Sequence, residues 1–175
     1  MDLKLKKVGV VVLVTAITLG ALVGIQFAWK KYMLDAPVTS KISNISGVSS
    51  VKIGTDSTDS GVIKVTLKSV PDLKVTCSQL LKAADSGKIL LIDHRSPQLQ
   101  SVLEQMRFNV EEALVKGDFV EMKAAIDKIA QTDKLTNYHI YMDDEYIYLQ
   151  FGQGQNYLYQ VFARQSDKAQ LFTEG

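Results

Sequence analysis

The chain has 175 residues, 20 of them basic and 19 acidic, a formal net charge of +1 and one cysteine. Five basic and two acidic residues lie within the first 35 positions, so the rest of the chain has a net charge of about −2. This charge argues against a nucleic-acid partner, because such binding depends on neutralising phosphates. A single cysteine excludes an internal disulfide, and the roughly 140 residues after the first 35 suffice for one domain with its own core.

The first predicted element is an apolar run over residues 8–29 that contains no ionisable side chain. At about 1.5 Å per residue it can cross a hydrocarbon core of roughly 30 Å, whereas an export signal has an apolar region of only about 7–15 residues. Trp29 and Tyr32 suit the membrane–water interface, and the two lysines between them can extend to the headgroups. The sequence therefore predicts an uncleaved single-pass helix at 8–29 in the lipid bilayer. The alternative is a cleaved signal, since small residues within the run offer cleavage sites.

The charges that flank this run predict its orientation. The tail 1–7 carries Lys4, Lys6 and Lys7 against Asp2, and positive residues favour the cytoplasmic side of a membrane. We therefore expect a cytoplasmic tail at 1–7, a position in the cell membrane, and an extracytoplasmic domain after the helix.

Small residues recur every fourth position within the run, at Ala16, Gly20, Gly24 and Ala28. They fall on one helical face and include a Gly-x-x-x-Gly spacing, which lets two membrane helices approach closely. The pattern indicates self-association or packing against another membrane helix. A plain anchor is the alternative, because apolar helices are rich in Gly and Ala.

Residues 30–50 are predicted to be a juxtamembrane segment and tether, because 37–50 are rich in Ser and Thr and lack apolar periodicity. A domain is expected at 51–165. Within it, 62–70 alternate as a half-buried strand does, and Pro71-Asp72 open a helix whose apolar stripe ends near Gly87. The continuous apolar run 89–92 is typical of a central strand covered on both faces. Strand, helix and strand in this order favour a parallel pair with a crossover.

Two further helices and a group of strands follow. Ser96-Pro97 opens one helix, Gly117 interrupts it, and Asp118 with Glu121 fits the start of another. Residues 137–164 predict a three-stranded antiparallel meander, and 166–175 are expected to be a flexible tail. The predicted fold class is α+β: a membrane helix, then one mixed-sheet domain with helices packed on it and a C-terminal meander.

Asp93, His94 and Arg95 form the most suggestive cluster for chemistry. They follow a predicted central strand and precede a helix N-terminus, a place where sheets with parallel strands often bind ligands and where an anion is favoured. This pattern predicts a small-ligand or hydrolytic site. The alternative is a plain strand end with a local ion pair, since no nucleophile motif accompanies His94.

Other reactive residues predict neither catalysis nor a metal site. Cys77 lies on an apolar helix stripe, where a thiol usually packs, and two histidines with one cysteine barely allow a zinc site. The acidic run 143–145 and the spaced oxygens of 56–60 are weak signals for a hard cation and are typical of solvated turns. We expect no cofactor, no metal and no enzymatic activity.

Tyrosines are concentrated in the predicted meander, including Tyr146, Tyr148, Tyr157 and Tyr159. Alternating tyrosines place rings on both faces of a strand, and tyrosine is enriched at protein interfaces. They predict a docking surface, with cross-strand packing as the alternative. Taken together, the sequence predicts an envelope protein whose outer domain binds an envelope protein partner or itself. The anchored ligand-binding or hydrolytic domain is the second hypothesis.

Overall fold

The computed structural model describes residues 15–25, 36–54, 61–85, 87–165 and 170–173. The chain divides into two compact units, Met1–Ser40 and Lys41–Gly175. Residues 15–25 are helical and are labelled α1. The elements that follow are α2 (Ala36–Ser43), β1 (Val48–Ile53), β2 (Val62–Leu67), α3 (Leu73–Ala84), β3 (Lys88–Ile92), α4 (Pro97–Lys116), α5 (Phe119–Thr132), β4 (Thr136–Met142), β5 (Tyr146–Gln153), β6 (Asn156–Ala163) and β7 (Leu171–Thr173).

The predicted α+β class is confirmed, with two sheets. Sheet A has the strand order β1-β2-β3-β7, in which β1 and β2 are antiparallel and β2, β3 and β7 are parallel. Sheet B is the predicted antiparallel meander, β4-β5-β6. The parallel pairing of β2 with β3 follows from α3, which Asp72 opens by accepting a hydrogen bond of 2.9 Å from the backbone N–H of Val75.

One face of sheet A is buried, and α3 contacts β3. The other face is half-buried at its centre and exposed at its margins, so β3 alternates between buried and half-buried positions. The prediction that β3 is covered on both faces is therefore wrong for the part of the chain described. The buried face consists of Ile63, Val65, Leu67, Ile89, Leu91 and Leu171.

Sheet B is the layer covered on both faces, since seven of the eight residues of β5 are buried. One face packs against α4 and α5, which form an antiparallel helix pair separated by Gly117 in the left-handed conformation (φ +80°). The shared core contains Leu99, Leu103, Met106, Val110, Met122, Ile126, Ile147, Leu149, Phe151, Leu158 and Phe162. The other face of sheet B carries Tyr146, Tyr148, Tyr157 and Tyr159, whereas Tyr138 packs against the core shared with the helices.

The segments predicted to be a tether and a tail contain regular structure. Residues 36–43 of the predicted tether 30–50 form α2, and β1 already begins at Val48. Within the predicted tail 166–175, Leu171–Thr173 forms a strand parallel to β3. Both predictions rested on polar composition. Pairing with the edges of β2 and β3 supplies backbone hydrogen bonds that composition does not reveal.

Of the predicted membrane span 8–29, only 15–25 are described, and these are helical. The positions on either side, including Ala28, lie outside the described residues, as do the predicted cytoplasmic tail 1–7 and residues 56–60. Within the described parts of the chain, we find no helix with the length and apolar character needed to cross a membrane.

Candidate functional site

Asp93, His94 and Arg95 connect β3 to α4. The helix starts immediately afterwards because the Ser96 hydroxyl accepts a hydrogen bond of 3.2 Å from the backbone N–H of Leu99, and Pro97 occupies the first turn. The structure thus brings the three predicted site residues to the predicted place, between a strand end and a helix N-terminus.

Asp93 and Arg95 form a bidentate ion pair. Nε and Nη2 of Arg95 donate to the two carboxylate oxygens of Asp93, each at 2.9 Å, and Nη1 donates to Oε1 of Gln100 at 2.9 Å. The Asp93 carboxylate also accepts the backbone N–H of Tyr159 in β6 at 2.8 Å, and its side chain is only 3% exposed. Fork-like pairing of this kind fixes the position of the Asp93 carboxylate. Because that carboxylate also binds Tyr159, the pair joins the end of sheet A to sheet B.

His94 contributes to the same junction through its backbone. Its carbonyl accepts the N–H of Tyr157 at 3.1 Å, and the two rings are tilted with centroids 6.0 Å apart. Within the described residues, no hydrogen bond connects the His94 ring to a serine hydroxyl, which a catalytic base would require. Ser96 uses its hydroxyl to cap α4. His94 thus contributes to this junction through its backbone carbonyl and through the contact of its ring with Tyr157.

A second set of contacts holds sheet B to the segment between β2 and α3. The Tyr157 hydroxyl donates to the carbonyl of Leu67 at 3.0 Å. The Tyr159 hydroxyl donates to the carbonyl of Lys68 at 3.1 Å and accepts the N–H of Val70 at 2.7 Å. Burial raises the pKa of Tyr159 to about 12, and the hydrogen bond from Val70 acts in the opposite direction.

Tyr146 and Tyr148 also form their hydrogen bonds within the domain. The Tyr148 hydroxyl donates to the Asp143 carboxylate at 2.9 Å, and the Tyr146 hydroxyl accepts the N–H of Gln170 at 3.0 Å. Both side chains are buried, as is Tyr159, while Tyr157 is half-buried. The interpretation of the four tyrosines as an external docking surface is therefore wrong for the buried three. Their rings fill the face of sheet B that lies opposite α4 and α5.

Sequence reasoning missed the residue that ties these layers most directly, Gln150. It is fully buried at the centre of β5, where Oε1 accepts the N–H of Leu73 at 2.8 Å and Nε2 donates to the carbonyl of Val70 at 2.7 Å. A signal existed, because an amide within the apolar run YIYLQF needs buried partners.

The acidic hairpin tip is a turn in which the Asp143 side chain binds the backbone of the residues that follow it. Its carboxylate accepts the N–H groups of Glu145 and Tyr146 at 3.0 and 2.8 Å. A cleft of about 220 Å³ is lined here by Asp144, Glu145, Tyr146 and Gln165. Within the described ranges, no group of three or more His, Cys, Asp or Glu side chains is placed to hold a metal ion.

The small-residue face of α1 and the lone thiol have simple surroundings. A methyl group added at Gly20 or Gly24 would meet no atom within 4 Å, so this face is open within the part of the chain that is described.

Cys77 is buried on α3, and its burial raises the thiol pKa, which leaves the sulfur unreactive.

The side of sheet A opposite its buried face, called here the open face, is half-buried at its centre by the part of the chain that the structure describes. Strand register places Lys52, Lys64, Leu90 and Phe172 side by side in one row across all four strands. The margins of the face are exposed, Phe172 by 39%, and the Nζ atom of Lys88 lies 5.9 Å from the Phe172 ring centroid. The face consists of Ser50, Lys52, Val62, Lys64, Thr66, Lys88, Leu90, Ile92 and Phe172.

In comparisons with protein families, curated proteins and solved structures, no family, protein or structure matches this chain. Function is therefore inferred from the residues of this chain.

Proposed function

We propose that this chain is a single-pass, membrane-anchored envelope protein whose extracytoplasmic domain is a protein-interaction or assembly module. The open face of sheet A is the observation that carries the proposal. Sheets with parallel strands are normally covered on both faces, and here Leu90 and Ile92 are only half-buried and Phe172 is 39% exposed in the described part of the chain. An apolar strip left on a folded domain is typical of a protein–protein contact.

The anchor is supported by the N-terminal residues. No ionisable side chain occurs in 8–29, and along the described helix 15–25 the large apolar side chains are all more than half exposed. Transfer of such side chains from water into lipid is favourable. Lysines in the tail 1–7 favour a cytoplasmic N-terminus, which would put the domain outside the cell membrane.

The second hypothesis, a ligand-binding or hydrolytic site at Asp93, His94 and Arg95, receives no support from the contacts. The Asp93 carboxylate is buried and bonded to Arg95 and to the backbone of Tyr159, and Arg95 also bonds Gln100. These groups act as a structural junction, so we do not propose a reaction there.

Fractionation and crosslinking test the proposal in cells that make the protein. We expect the chain to stay in membranes after alkaline carbonate extraction, and its amino terminus to start before residue 25. External protease should digest the domain in intact cells whose cytoplasmic control is protected. Amine-reactive crosslinking should then yield a species heavier than the 19.4 kDa monomer. Release by carbonate, protection from protease or a monomer alone would each contradict the proposal.

A further inference from the structure

We infer that the solvent side of α4 binds an amphipathic helix of a partner protein, one whose apolar stripe is flanked by Lys or Arg. This inference rests on the proposed function, because it names a partner for the interaction module. It uses a surface other than the open face of sheet A. That surface, called here the outer ridge, consists of the exposed residues Glu104, Phe108, Glu111, Glu112 and Val115.

Large apolar side chains stand in solvent along this side of the helix pair. Phe108 is 79% exposed and Val115 is 88% exposed, and helical periodicity places both opposite the buried stripe of α4. Val120, in the first turn of α5, is 84% exposed. No other large apolar side chain that the structure describes is as exposed as these three. Apolar side chains grouped in this way, rather than scattered singly, indicate a contact surface.

Carboxylates lie on both flanks of the outer ridge. Viewed along the helix axis, Glu111 lies on one side of the line from Phe108 to Val115, and Glu112 lies on the other side. Glu112 is paired with Lys116, whereas the Glu111 carboxylate forms no hydrogen bond or ion pair with another described residue. A cation of a partner placed over Glu111 would therefore displace no ion pair of the domain.

The negative charge of the domain is concentrated around this ridge. Residues 104–121 contain five acidic and two basic side chains, a net charge of −3. The rest of the chain after residue 35 contains 12 acidic and 13 basic side chains, a net charge of +1. Complementary potentials speed association and disfavour wrong partners. Lys or Arg on both flanks of the partner's apolar stripe would complement the ridge.

The geometry of the ridge favours a helix as its occupant. Phe108 and Val115 are seven residues apart, which is about 10.5 Å along the axis. At this spacing, side chains of one helix insert as knobs into the holes between side chains of a facing helix. An added strand would instead need an unpaired sheet edge, which the solvent side of a helix does not offer.

Two other occupants fit the ridge less well. In a second copy, an antiparallel pairing of α4 that sets Phe108 against Val115 also sets Glu111 against Glu112, and a parallel pairing sets Glu111 against Glu111. Like charges placed together across an interface are unfavourable. A lipid surface is less suitable because helices that lie on membranes carry Lys and Arg beside their apolar face, and anionic headgroups repel carboxylates.

Site-specific photocrosslinking in cells tests the inference on the full chain. The photoreactive residue p-benzoylphenylalanine replaces Phe108 on the outer ridge, which keeps an aromatic ring at that position. In separate chains it replaces Phe172 on the open face of sheet A, or Gln155 in the exposed turn between β5 and β6 as a control. The crosslinked peptide is identified by mass spectrometry.

Two charge variants are compared at position 108. E104K/E111K reverses two charges of the outer ridge. D144K/E145K makes the same change of net charge at the exposed turn between β4 and β5, away from the solvent side of α4.

We expect position 108 to crosslink one protein, within a segment whose apolar residues recur at helical spacing between Lys or Arg, and position 155 to give no such product. The yield should fall at least fivefold in E104K/E111K and stay within twofold in D144K/E145K. Substituting Glu for the basic residues of the captured segment should restore the yield with E104K/E111K. Rescue of this kind shows that the loss is not caused by misfolding.

Crosslinks from position 108 to lipid, to a second copy, or to a segment without basic helical character would overturn the inference. So would a yield that is insensitive to E104K/E111K, or the same product at equal yield from position 155. If position 172 captures a protein and position 108 captures none, the interaction function stands and the outer ridge is not its surface. If neither position captures a protein, both proposals fail.

Discussion

The Oε1 atom of Gln150 accepts a hydrogen bond of 2.8 Å from the backbone N–H of Leu73, 77 residues earlier in the chain. Leu73 is the first residue of α3, so its N–H is one of the donors that a helix leaves without an internal partner. The same amide group donates to the carbonyl of Val70. One buried side chain of sheet B thus completes both the start of a helix and the loop that leads to it.

Substitution of Gln150 by leucine tests this tie. The change leaves a buried N–H and a buried carbonyl unpaired, at a cost of about 1–3 kcal/mol each, so we expect the free energy of unfolding to fall by about 2–4 kcal/mol. Urea denaturation of the full chain in mild detergent measures it. The exposed Gln155, changed to leucine in the same way, should shift stability by less than about 0.5 kcal/mol. Equal effects of the two substitutions would refute the assigned role.

Removal of one hydroxyl tests the contact between Tyr159 and the β2–α3 segment. The Y159F change leaves the buried N–H of Val70 without a partner, and we expect a loss of about 1–3 kcal/mol. Y157F removes a donor to Leu67 at a half-buried site, so its loss should be the smaller one. A larger loss for Y157F in the same denaturation assay would contradict this order.

Alkaline pH should weaken the domain through Tyr159. Burial raises its folded-state pKa to about 12, against about 10 for an unfolded tyrosine. Its contribution is fully present below pH 10. Between pH 10 and 12 the unfolded state has released the proton while the folded state still holds it. The free energy of unfolding therefore falls by up to about 1.4 kcal/mol per pH unit over this range. Unfolding measured between pH 9 and 12 should show a shallower decline in Y159F, and parallel declines would exclude this cause.

A double-mutant cycle distinguishes a structural Asp93–Arg95 pair from two independent site residues. D93A leaves Arg95 and the N–H of Tyr159 without the carboxylate, and we expect a loss of about 2–3 kcal/mol. The pair should show a coupling energy of about 1–3 kcal/mol when R95A is combined with it. H94A, which keeps the backbone bond to Tyr157, should lose less than about 0.5 kcal/mol. Additive effects of D93A and R95A would argue against the junction.

Gly47 is required by both its conformation and its neighbour. Its φ is +91°, and a Cβ atom there would overlap Cγ1 of Val70. We expect G47A to cost about 2–4 kcal/mol, from backbone strain together with the clash. Gly154 also has positive φ, +62°, but has open space around it, so G154A should cost about 1 kcal/mol. Thermal unfolding of the two variants compares them, and similar midpoints would disprove the contribution of Val70.

Local rules predicted much of the secondary structure. Asp72, Ser96 and Asp118 each accept the N–H three residues ahead, and Gly117 adopts the left-handed conformation that ends α4. The parallel partner of β2 also followed from sequence order. These features depend on residues a few positions apart or on chain connectivity, which a sequence displays directly.

Which face of a strand is covered was not predictable in the same way. The run in β3 predicted two-sided burial, but β5 is the strand buried on both sides. The roles of Gln150 and Tyr159 depend on contacts with residues 77–91 positions away. β7 has only three residues, too few for a periodic pattern, and it exists because β3 offers an edge. Long-range pairing of this kind leaves no local signature.

The pairing of β3 with β7 has a consequence for how the protein is made. Ile89 is matched with Leu171, so the second edge of β3 is closed by residues that leave the ribosome about 80 positions later, and contacts of such separation form late in folding. Until then an apolar ladder is open to neighbouring nascent chains. A holding chaperone that shields residues 88–92 during synthesis would raise the yield of folded protein, and rapid overproduction without one would favour aggregates.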